Sequence, residues 1–179
     1  MSTGDLAHLS RLRERSGFAF SIECLLFDNG FQAVKLHRVA AWFKRHRIPF
    51  FGALIWRCNL FLTGVDINPN ARIGPGLVIS HGVGLVVGGD VVIGADCLLH
   101  HGVTLGAPTT SRISSCPSLG DRVVVGAGAQ VIGDLTVGDD ATVGAGALVT
   151  QDVPAGALAR APRAVISGPT ETRIDQEAP

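Results

Sequence analysis

The sequence contains no Cys-x-x-Cys pair. Its four cysteines, Cys24, Cys58, Cys97 and Cys116, lie at wide and unpatterned spacings. Structural zinc sites use closely spaced thiolate or imidazole ligands, and disulfide-stapled domains carry cysteines in a compact framework. We therefore expect no zinc site, no other metal site and no disulfide framework.

Segments that would direct the chain to a membrane are also missing. The N-terminal segment is polar and lacks the apolar core of a signal peptide. The most apolar stretch, Phe50 to Leu62, is interrupted by Arg57 and is too short to span a bilayer. The expected location is therefore the reducing cytoplasm, with the chain in soluble form.

Net charge is zero, but the two signs are unevenly distributed. Residues 1–60 hold nine Lys and Arg against four Asp and Glu, whereas residues 61–179 hold six against eleven. There is no basic run of five and no nucleic-acid-binding motif, so nucleic acid is not an expected partner. The basic N-terminal part favours a solvated helix face, and contact with a membrane surface or a partner stays open.

A six-residue period is the strongest pattern present. Neither a helix nor a flat strand has a period of six, whereas a triangular coil places one aliphatic residue of each six-residue side on its axis. Small residues allow the corners to turn, and three sides make one 18-residue coil that stacks on the next. The central run is Leu119, Val125, Val131, Val137, Val143 and Val149.

The same period occurs upstream and is broken at two joins. One phase slip of two residues lies between Ile79 and Val87, and the other lies between Leu105 and Leu119. A regular coil interior is chemically inert, so we expect the functional residues at these joins. The upstream runs are Ile67, Ile73, Ile79 and Val87, Ile93, Leu99, Leu105.

The predicted fold class is mainly β, a left-handed parallel β-helix of hexapeptide repeats with an N-terminal α-helical cap. Residues 1–64 form the helical segment, with a short charged helix, two helices separated at Asp28-Asn29-Gly30, and a third helix from Ile48-Pro49 to Thr63-Gly64. The coil occupies residues 65–154 and carries a projecting loop near 107–118. Residues 155–179 form a C-terminal extension with a disordered end.

Asp66 and His81 are the leading candidates for chemistry. They are 15 residues apart, three short of one coil, which places them on neighbouring layers. A carboxylate bound to one ring nitrogen fixes the tautomer and raises the basicity of the other nitrogen. The pair therefore suggests a general base, with an ion pair at the edge of the coil as the alternative.

Other polar and small residues near the joins suggest a binding cleft. Of His100 and His101, one should face outward near His81 and line a cleft; a two-histidine metal site lacks an obvious carboxylate to complete it. Small residues at Gly106-Ala107, 126–128 and 144–146 expose backbone groups to an extended amide-containing ligand. Arg160 and Arg163 are candidate phosphate partners, or else solvated arginines of the tail.

Several motifs together resemble the serine acetyltransferase family of hexapeptide-repeat acyltransferases. They are Gly30-Phe31-Gln32-Ala33, Thr63-Gly64-Val65-Asp66-Ile67-Asn68-Pro69, His81 to Gly88, Gly102 to Gly106, and Val125 to Ala129. The resemblance implies a homotrimer with active sites between subunits, acetyl-CoA as donor, and direct transfer to a hydroxyl. By this resemblance, His81 is the catalytic histidine and Asp66 is the aspartate paired with it. The coenzyme-lining positions that it implies are Gly106, Ala127 and Ala145; Ala107 is a candidate only as the small residue next to Gly106.

Departures from the family pattern bear on the acceptor. Ser80 stands where the family pattern has an aspartate that binds the amino group of serine. Ser115-Cys116 stands where the pattern has an Arg-His pair that binds its carboxylate. The C-terminus lacks the isoleucine used to dock on cysteine synthase, so no stable docking is expected. The short N-terminus and the Cys-Pro pair resemble relatives from exopolysaccharide gene clusters. We therefore expect a sugar or glycan acceptor, held by Ser80, His101, Ser115 and Cys116.

Three alternatives stay open at this point. Serine itself could be the acceptor, with His100, His101 or Arg112 replacing the missing contacts. The chain could also be a non-catalytic trimeric scaffold, although it retains both candidate residues of the base. Cys116 as a nucleophile is disfavoured, because no basic neighbour in its loop would lower the pKa of its thiol.

Overall fold

A computed structural model describes residues 3–14, 18–109 and 115–165. The N-terminal part is helical, with α1 (Thr3–Leu12), α2 (Phe18–Phe27), α3 (Asn29–Arg45) and α4 (Pro49–Thr63). Asp28 caps α3 by accepting a 2.7 Å hydrogen bond from the Phe31 N–H. Gly64 ends α4 in the left-handed conformation, with φ 69°, and leads directly into the first strand.

Fourteen short strands follow in the described part of the chain and form three parallel sheets. Sheet A has the order β1-β4-β7-β10-β13, sheet B has β11-β8-β5-β2, and sheet C has β14-β12-β9-β6-β3. The strands are β1 (Asp66–Ile67), β2 (Arg72–Ile73), β3 (Val78–Ser80), β4 (Val86–Val87), β5 (Val92–Ile93), β6 (Leu98–His100), β7 (Thr104–Gly106), β8 (Ser118–Leu119), β9 (Val124–Val125), β10 (Gln130–Ile132), β11 (Thr136–Val137), β12 (Thr142–Val143), β13 (Leu148–Val149) and β14 (Leu158–Ala159).

The inward residues of each sheet form one column along the axis of the coil. In sheet A, Ile67 pairs with Val87, then Leu105, Val131 and Val149, each at most 5% exposed. Sheets B and C carry equivalent columns, so the aliphatic residue of every repeat meets its counterparts above and below. These observations confirm the predicted solenoid of parallel sheets built from hexapeptide repeats, with helices N-terminal to it.

The two predicted phase slips are insertions at corners. Partners in successive coils are 20 residues apart across the first slip (Ile79↔Leu99), 26 across the second (Leu105↔Val131), and 18 elsewhere in sheet A. β8 begins at Ser118, one residue inside the predicted loop. The coil also continues past the predicted limit near Pro154, because β14 pairs with β12 at Leu158 and Ala159. The six-residue period predicted an earlier end, because the last side of the coil departs from that period.

The helical segment packs tightly on the first coil. Gly30 lies so close to the Ile79 carbonyl that a Cβ atom would overlap it. Asp5 is 1% exposed and accepts two 2.7 Å hydrogen bonds from the Arg38 guanidinium and one of 2.9 Å from the Gly76 N–H. These contacts fix α1 and α3 against β3, the strand that leads into His81.

None of the four helices, within the ranges that the structure describes, combines the length and the apolar character that a bilayer span requires.

We predict that Gly30→Ala destabilises the fold by about 1–3 kcal/mol, because the added methyl group must displace either α3 or β3. Urea unfolding followed by circular dichroism measures this change. Gly106→Ala is the matched control, since among the described residues, its two chain neighbours aside, no atom lies within 4 Å of the position that its Cβ would take. Equal unfolding midpoints for the two variants would contradict the close packing of α3 on β3.

Candidate active site

The first insertion places His81 outside the regular path of the coil. Ser80 pairs with His100, and the next paired residues of these two coils are Val86 and Thr104. The lower coil thus has two more residues than the upper one between these contacts. The extra residues bulge outward at the turn from sheet C to sheet A, hereafter the C–A corner.

The backbone of His81 has a conformation that a side-chain-bearing residue rarely adopts. Its φ angle is +64°, and its carbonyl accepts a hydrogen bond from the Val83 N–H within the same tight turn. Such conformations persist where the surrounding structure enforces them, and they are concentrated at functional sites. The His81 side chain is exposed, so the turn presents the imidazole to solvent.

His101 is the second histidine that faces this corner. Its ring centroid lies 6.3 Å from that of His81, and the planes are nearly perpendicular. His100 instead lies beside the upper coil, with its Nδ1 3.1 Å from the Val125 carbonyl oxygen. The predicted outward histidine of this pair is therefore His101. In the described ranges, no three His, Cys, Asp or Glu side chains come together as metal ligands would.

Asp66 lies one coil below, but it is not hydrogen bonded to His81 in this structure. Its Oδ1 accepts a 2.7 Å hydrogen bond from the Trp56 indole N–H of α4. Their chain neighbours lie against each other: Gly82 follows His81, Val65 precedes Asp66, and a Cβ on Gly82 would meet the Val65 side chain. Asp66 and His81 therefore lie on neighbouring layers, as their spacing predicts, whereas the hydrogen bond between Asp66 and Trp56 was not predicted.

A cavity of about 210 Å³ opens between His81 and the helical segment. Three charged side chains contribute to its wall, and two of them, Arg13 and Asp28, form an ion pair of 2.6 Å; the third is Glu23. The sequence analysis missed this wall, because the helices carry no repeat and Asp28 reads only as part of a turn. The full lining is Arg13, Glu23, Cys24, Phe27, Asp28, Asn29, Gly30, Ile79 and His81.

Small residues continue the C–A corner above the histidines. The Gly128 N–H donates to the His101 carbonyl at 3.0 Å, and the Gly146 N–H donates to the Ala127 carbonyl at 2.9 Å. His101, Ala127 and Ala145 therefore occupy equivalent positions of successive coils, about 4.8 Å apart. Arg160 follows the last strand, and its Cα lies 3.6 Å from the position of a Cβ on Gly144. The result is a column of small residues that runs from His101 towards the backbone of Arg160.

The remaining predicted site residues lie at the next corner, between sheets A and B. Gly106 ends β7, Ala107 follows it, and Ser115 and Cys116 re-enter the coil before β8. The Cys116 Sγ lies 3.5 Å from where a Cβ on Gly88 would be, beside the Gly106 Cα. This A–B corner is separated from His81 by the width of sheet A within one chain. Arg163 is exposed beyond the last strand, and Arg112 lies outside the described residues.

The thiol of Cys116 is poorly suited to nucleophilic attack. Its side chain is buried, and burial raises the pKa of the thiol above its ordinary value, with the Asp90 carboxylate adding to the increase. Burial likewise raises the pKa of Cys97 to about 11. A reactive cysteine needs a thiolate at neutral pH, and neither environment supplies one.

Comparison with known proteins agrees with this arrangement. The family model "Bacterial transferase hexapeptide (six repeats)" matches residues 117–151. The chain is 43% identical to a serine acetyltransferase of Synechococcus elongatus over 116 residues, which are 65% of this chain but only 48% of that protein. It is 42% identical to a serine acetyltransferase of Helicobacter pylori over 142 residues, which are 79% of this chain and 83% of that protein.

A solved structure extends the similarity to three dimensions. The serine acetyltransferase of Brucella abortus strain S19 in complex with coenzyme A superposes with a TM-score of 0.81 at 31% identity. The match covers 89% of this chain and 63% of that protein. The chain thus spans about half of one relative's length and under two thirds of this solved protein.

We predict that Cys58, which is exposed, is alkylated by iodoacetamide in the native protein at pH 8, whereas Cys97 and Cys116 are protected. The reason is that burial keeps the two latter thiols protonated and inaccessible. Peptide mapping by mass spectrometry measures the extent of labelling at each cysteine. Labelling in denaturant is the control, and equal native rates at Cys58 and Cys116 would contradict the prediction.

Proposed function

We infer that this chain, which belongs to the serine acetyltransferase family of hexapeptide-repeat transferases, is an acetyl-CoA-dependent O-acetyltransferase whose acceptor is the hydroxyl of serine. The single observation that carries this proposal is the bulge at the C–A corner. It holds His81 between a cavity sized for a small acceptor and a track of small residues that leads away from it.

The proposed reaction is a direct transfer. His81 removes the proton from the acceptor hydroxyl, and the oxygen attacks the thioester carbonyl of acetyl-CoA. A backbone N–H near Gly106 stabilises the tetrahedral oxyanion. The intermediate then collapses with cleavage of the C–S bond, and the protonated His81 returns the proton to the leaving thiolate. No acyl-enzyme forms in this scheme.

Asp66 is proposed as a positioning residue. A carboxylate that accepts a hydrogen bond from one nitrogen of an imidazole holds its tautomer and orientation. Here Trp56 fixes one oxygen of that carboxylate and leaves the other available. The contact between Asp66 and His81 is proposed to form when the substrate binds, since catalytic hydrogen bonds often tighten only in the complex.

The coenzyme is proposed to lie along Ala127 and Ala145, with Arg160 or Arg163 near its phosphates. Small side chains leave backbone groups open to an extended amide-containing ligand, and arginine pairs well with phosphate. Gly106, Ala107, Ser115 and Cys116 lie at the other corner, so one chain alone does not assemble all the predicted residues. We therefore propose a homotrimer in which Gly106, Ala107, Ser115 and Cys116 of one protomer meet the C–A corner of its neighbour.

Exposed apolar residues support this assembly. Val83 is 63% exposed at the C–A corner, and Val86 and Leu148 are 40% and 66% exposed on the outer surface of sheet A, between the two corners. Thr104 and Gln130 lie between Val86 and Leu148 on this sheet, so a neighbouring protomer would cover a mixed surface that includes these apolar side chains. A neighbouring protomer placed there would bury these side chains and close the cleft.

Charge in the cavity favours serine as the acceptor. Serine is a zwitterion, and the wall of the cavity carries charges of both signs, with the Glu23 carboxylate beside the Arg13–Asp28 ion pair. These groups come from the helical segment and could replace the charges absent at Ser80 and at Ser115-Cys116. The relatives from Synechococcus elongatus and Helicobacter pylori are serine acetyltransferases, which supports the same acceptor.

A sugar or glycan hydroxyl is the second candidate. It is favoured by the neutral residues Ser80, Ser115 and Cys116 at the positions where the family pattern places charges. A neutral polyol needs hydrogen-bonding groups rather than charge partners, and these hydroxyls supply them. The resemblance to short exopolysaccharide-cluster proteins stays a prediction.

We predict that His81→Asn lowers kcat by at least about a hundredfold while coenzyme A still binds, because the general base is lost and the coenzyme track is untouched. Asparagine tolerates the left-handed backbone at this position better than alanine does, so the loss reports chemistry rather than strain. A coupled assay of thiol release gives kcat, and calorimetry gives the affinity for coenzyme A. His81→Ala is expected to show the same loss.

His46→Asn is the matched control, since His46 is an exposed histidine on the helical segment away from the C–A corner. Its kcat should stay within about twofold of the parent value. Retention of full turnover by His81→Asn would remove the proposed mechanism.

We predict that L-serine supports thiol release with a higher kcat/KM than any member of a panel of sugars. Glu23→Gln should then raise the KM for serine by about tenfold or more, because the acceptor's ammonium loses a charged partner. The measurement is initial rate against acceptor concentration at saturating acetyl-CoA.

Glu14→Gln is the control, as Glu14 is an exposed acid of the same segment that does not line the cavity. A sugar preferred over serine, with KM unaffected by Glu23→Gln, would select the second candidate. Activity toward neither class, together with no binding of coenzyme A, would favour the non-catalytic scaffold.

A further inference from the structure

A second concave site lies between the helical segment and the first coil. This basic groove encloses about 720 Å³ between the C-terminal half of α3 and the A–B corner of the first coil. Four basic side chains and no acidic side chain line it. The basic residues are Arg38, Lys44, Arg45 and Arg72.

Three of these cations have no partner among the described residues. Arg38 is engaged by Asp5 and by the carbonyls of Ile73 and Gly74, at 2.7–3.3 Å. Lys44, Arg45 and Arg72 make no ion pair or side-chain hydrogen bond within the part of the chain that the structure covers. Like charges gathered in this way repel one another unless an anion joins them.

The helix dipole accounts for only two of these three unpaired cations. Lys44 and Arg45 occupy the last turn of α3, where cations complement the helix dipole. Arg72 belongs to β2 on the coil and gains nothing from that dipole, yet it lines the same groove from the opposite wall. Convergence of cations from two separate elements is what points to a ligand.

The wall of the groove includes a buried histidine. His37 is 3% exposed, and its Nδ1 is buried without a hydrogen-bond partner in the described structure. Burial, with Arg38 and Arg45 adding to the effect, lowers the pKa of His37 to about 4, so the ring is neutral at pH 7. Unsatisfied buried polar atoms are rare in native proteins and call for a missing partner nearby.

We propose that the basic groove binds a phosphate-bearing anion. The guanidinium groups of Arg45 and Arg72 suit bidentate contact with phosphate oxygens, and Lys44 adds a point charge. Trp42, 47% exposed, forms an apolar flank for the remainder of the ligand. The site lies outside the cavity beside His81 and shares no lining residue with it.

Two sources of such a phosphate are chemically equivalent at the groove. One is a soluble phosphate ester, and the other is the headgroup of an anionic lipid. The residues that follow α3 bear on this choice, because Ile48 and, at the start of α4, Phe50 and Phe51 are 39%, 72% and 49% exposed. Exposed aromatic residues beside cations are typical of interfacial contact with a bilayer.

The test uses two probes on the full chain. Calorimetry at low ionic strength measures binding of inorganic pyrophosphate. Co-sedimentation measures binding to vesicles of phosphatidylglycerol with phosphatidylcholine, against vesicles of phosphatidylcholine alone. The variant Arg45→Gln/Arg72→Gln removes one cation from each wall. Arg57→Gln is the matched control, because Arg57 is exposed on α4 and lies outside the groove.

The expected result is that the double variant weakens binding of at least one probe by about tenfold or more, while Arg57→Gln leaves it within about twofold. Pyrophosphate binding with this pattern identifies a soluble ligand, and vesicle binding with this pattern identifies a lipid headgroup. Thermal melting shows whether each variant is folded. The proposal is overturned if neither probe binds, or if the double variant binds both probes as the parent does; a groove covered by a second copy of the chain would give the first of these results.

Discussion

The structure depends on the vertical contact between inward aliphatic residues of successive coils. Each buried side chain, such as Leu105 or Val131, meets its counterpart in the layer above and the layer below. An extra residue in a coil cannot enter this packed column without breaking it. Insertions must therefore leave the coil at a corner, and the two that occur create the bulge at His81 and the segment between Gly106 and Ser118. The regularity of the core thus determines where irregular, chemically active backbone can exist.

Much of this architecture could be predicted because the six-residue period is a local property of the chain. The positions of the helices, the columns and both joins follow from spacing, and Gly64 marks the end of α4. Side-chain direction could not be predicted in the same way. Asp66 falls in the correct layer, but its indole partner, Trp56, lies on a helix whose orientation against the coil no spacing encodes. The cavity beside His81 was missed for the same reason, since its other wall depends on how α2 and α3 pack against β3.

Assembly is the second level at which sequence reasoning reaches a limit. Spacing groups Ala127 with Ala145 one coil apart, and the structure indeed stacks them. Spacing says nothing of the distance across sheet A between the C–A corner and Gly106. A prism has flat sides and separated corners, so residues at two corners can face one another only across an interface between prisms. A site that draws on both corners is for this reason a site between chains, and its formation is coupled to association.

The helical segment explains how one coil could serve different acceptors. Residues at the corners must keep the coil closed, and their side chains are limited to small and hydrogen-bonding types. Arg13 and Glu23 in the helical wall carry no such constraint, because helices can change surface residues without disturbing the column, whereas Asp28 also caps α3. A charged wall costs desolvation energy when the site closes, and a neutral polyol cannot offset that cost, whereas an ammonium and a carboxylate can. In the proposed reaction, acceptor choice is therefore a property of the helical segment, while the chemistry of transfer is a property of the coil.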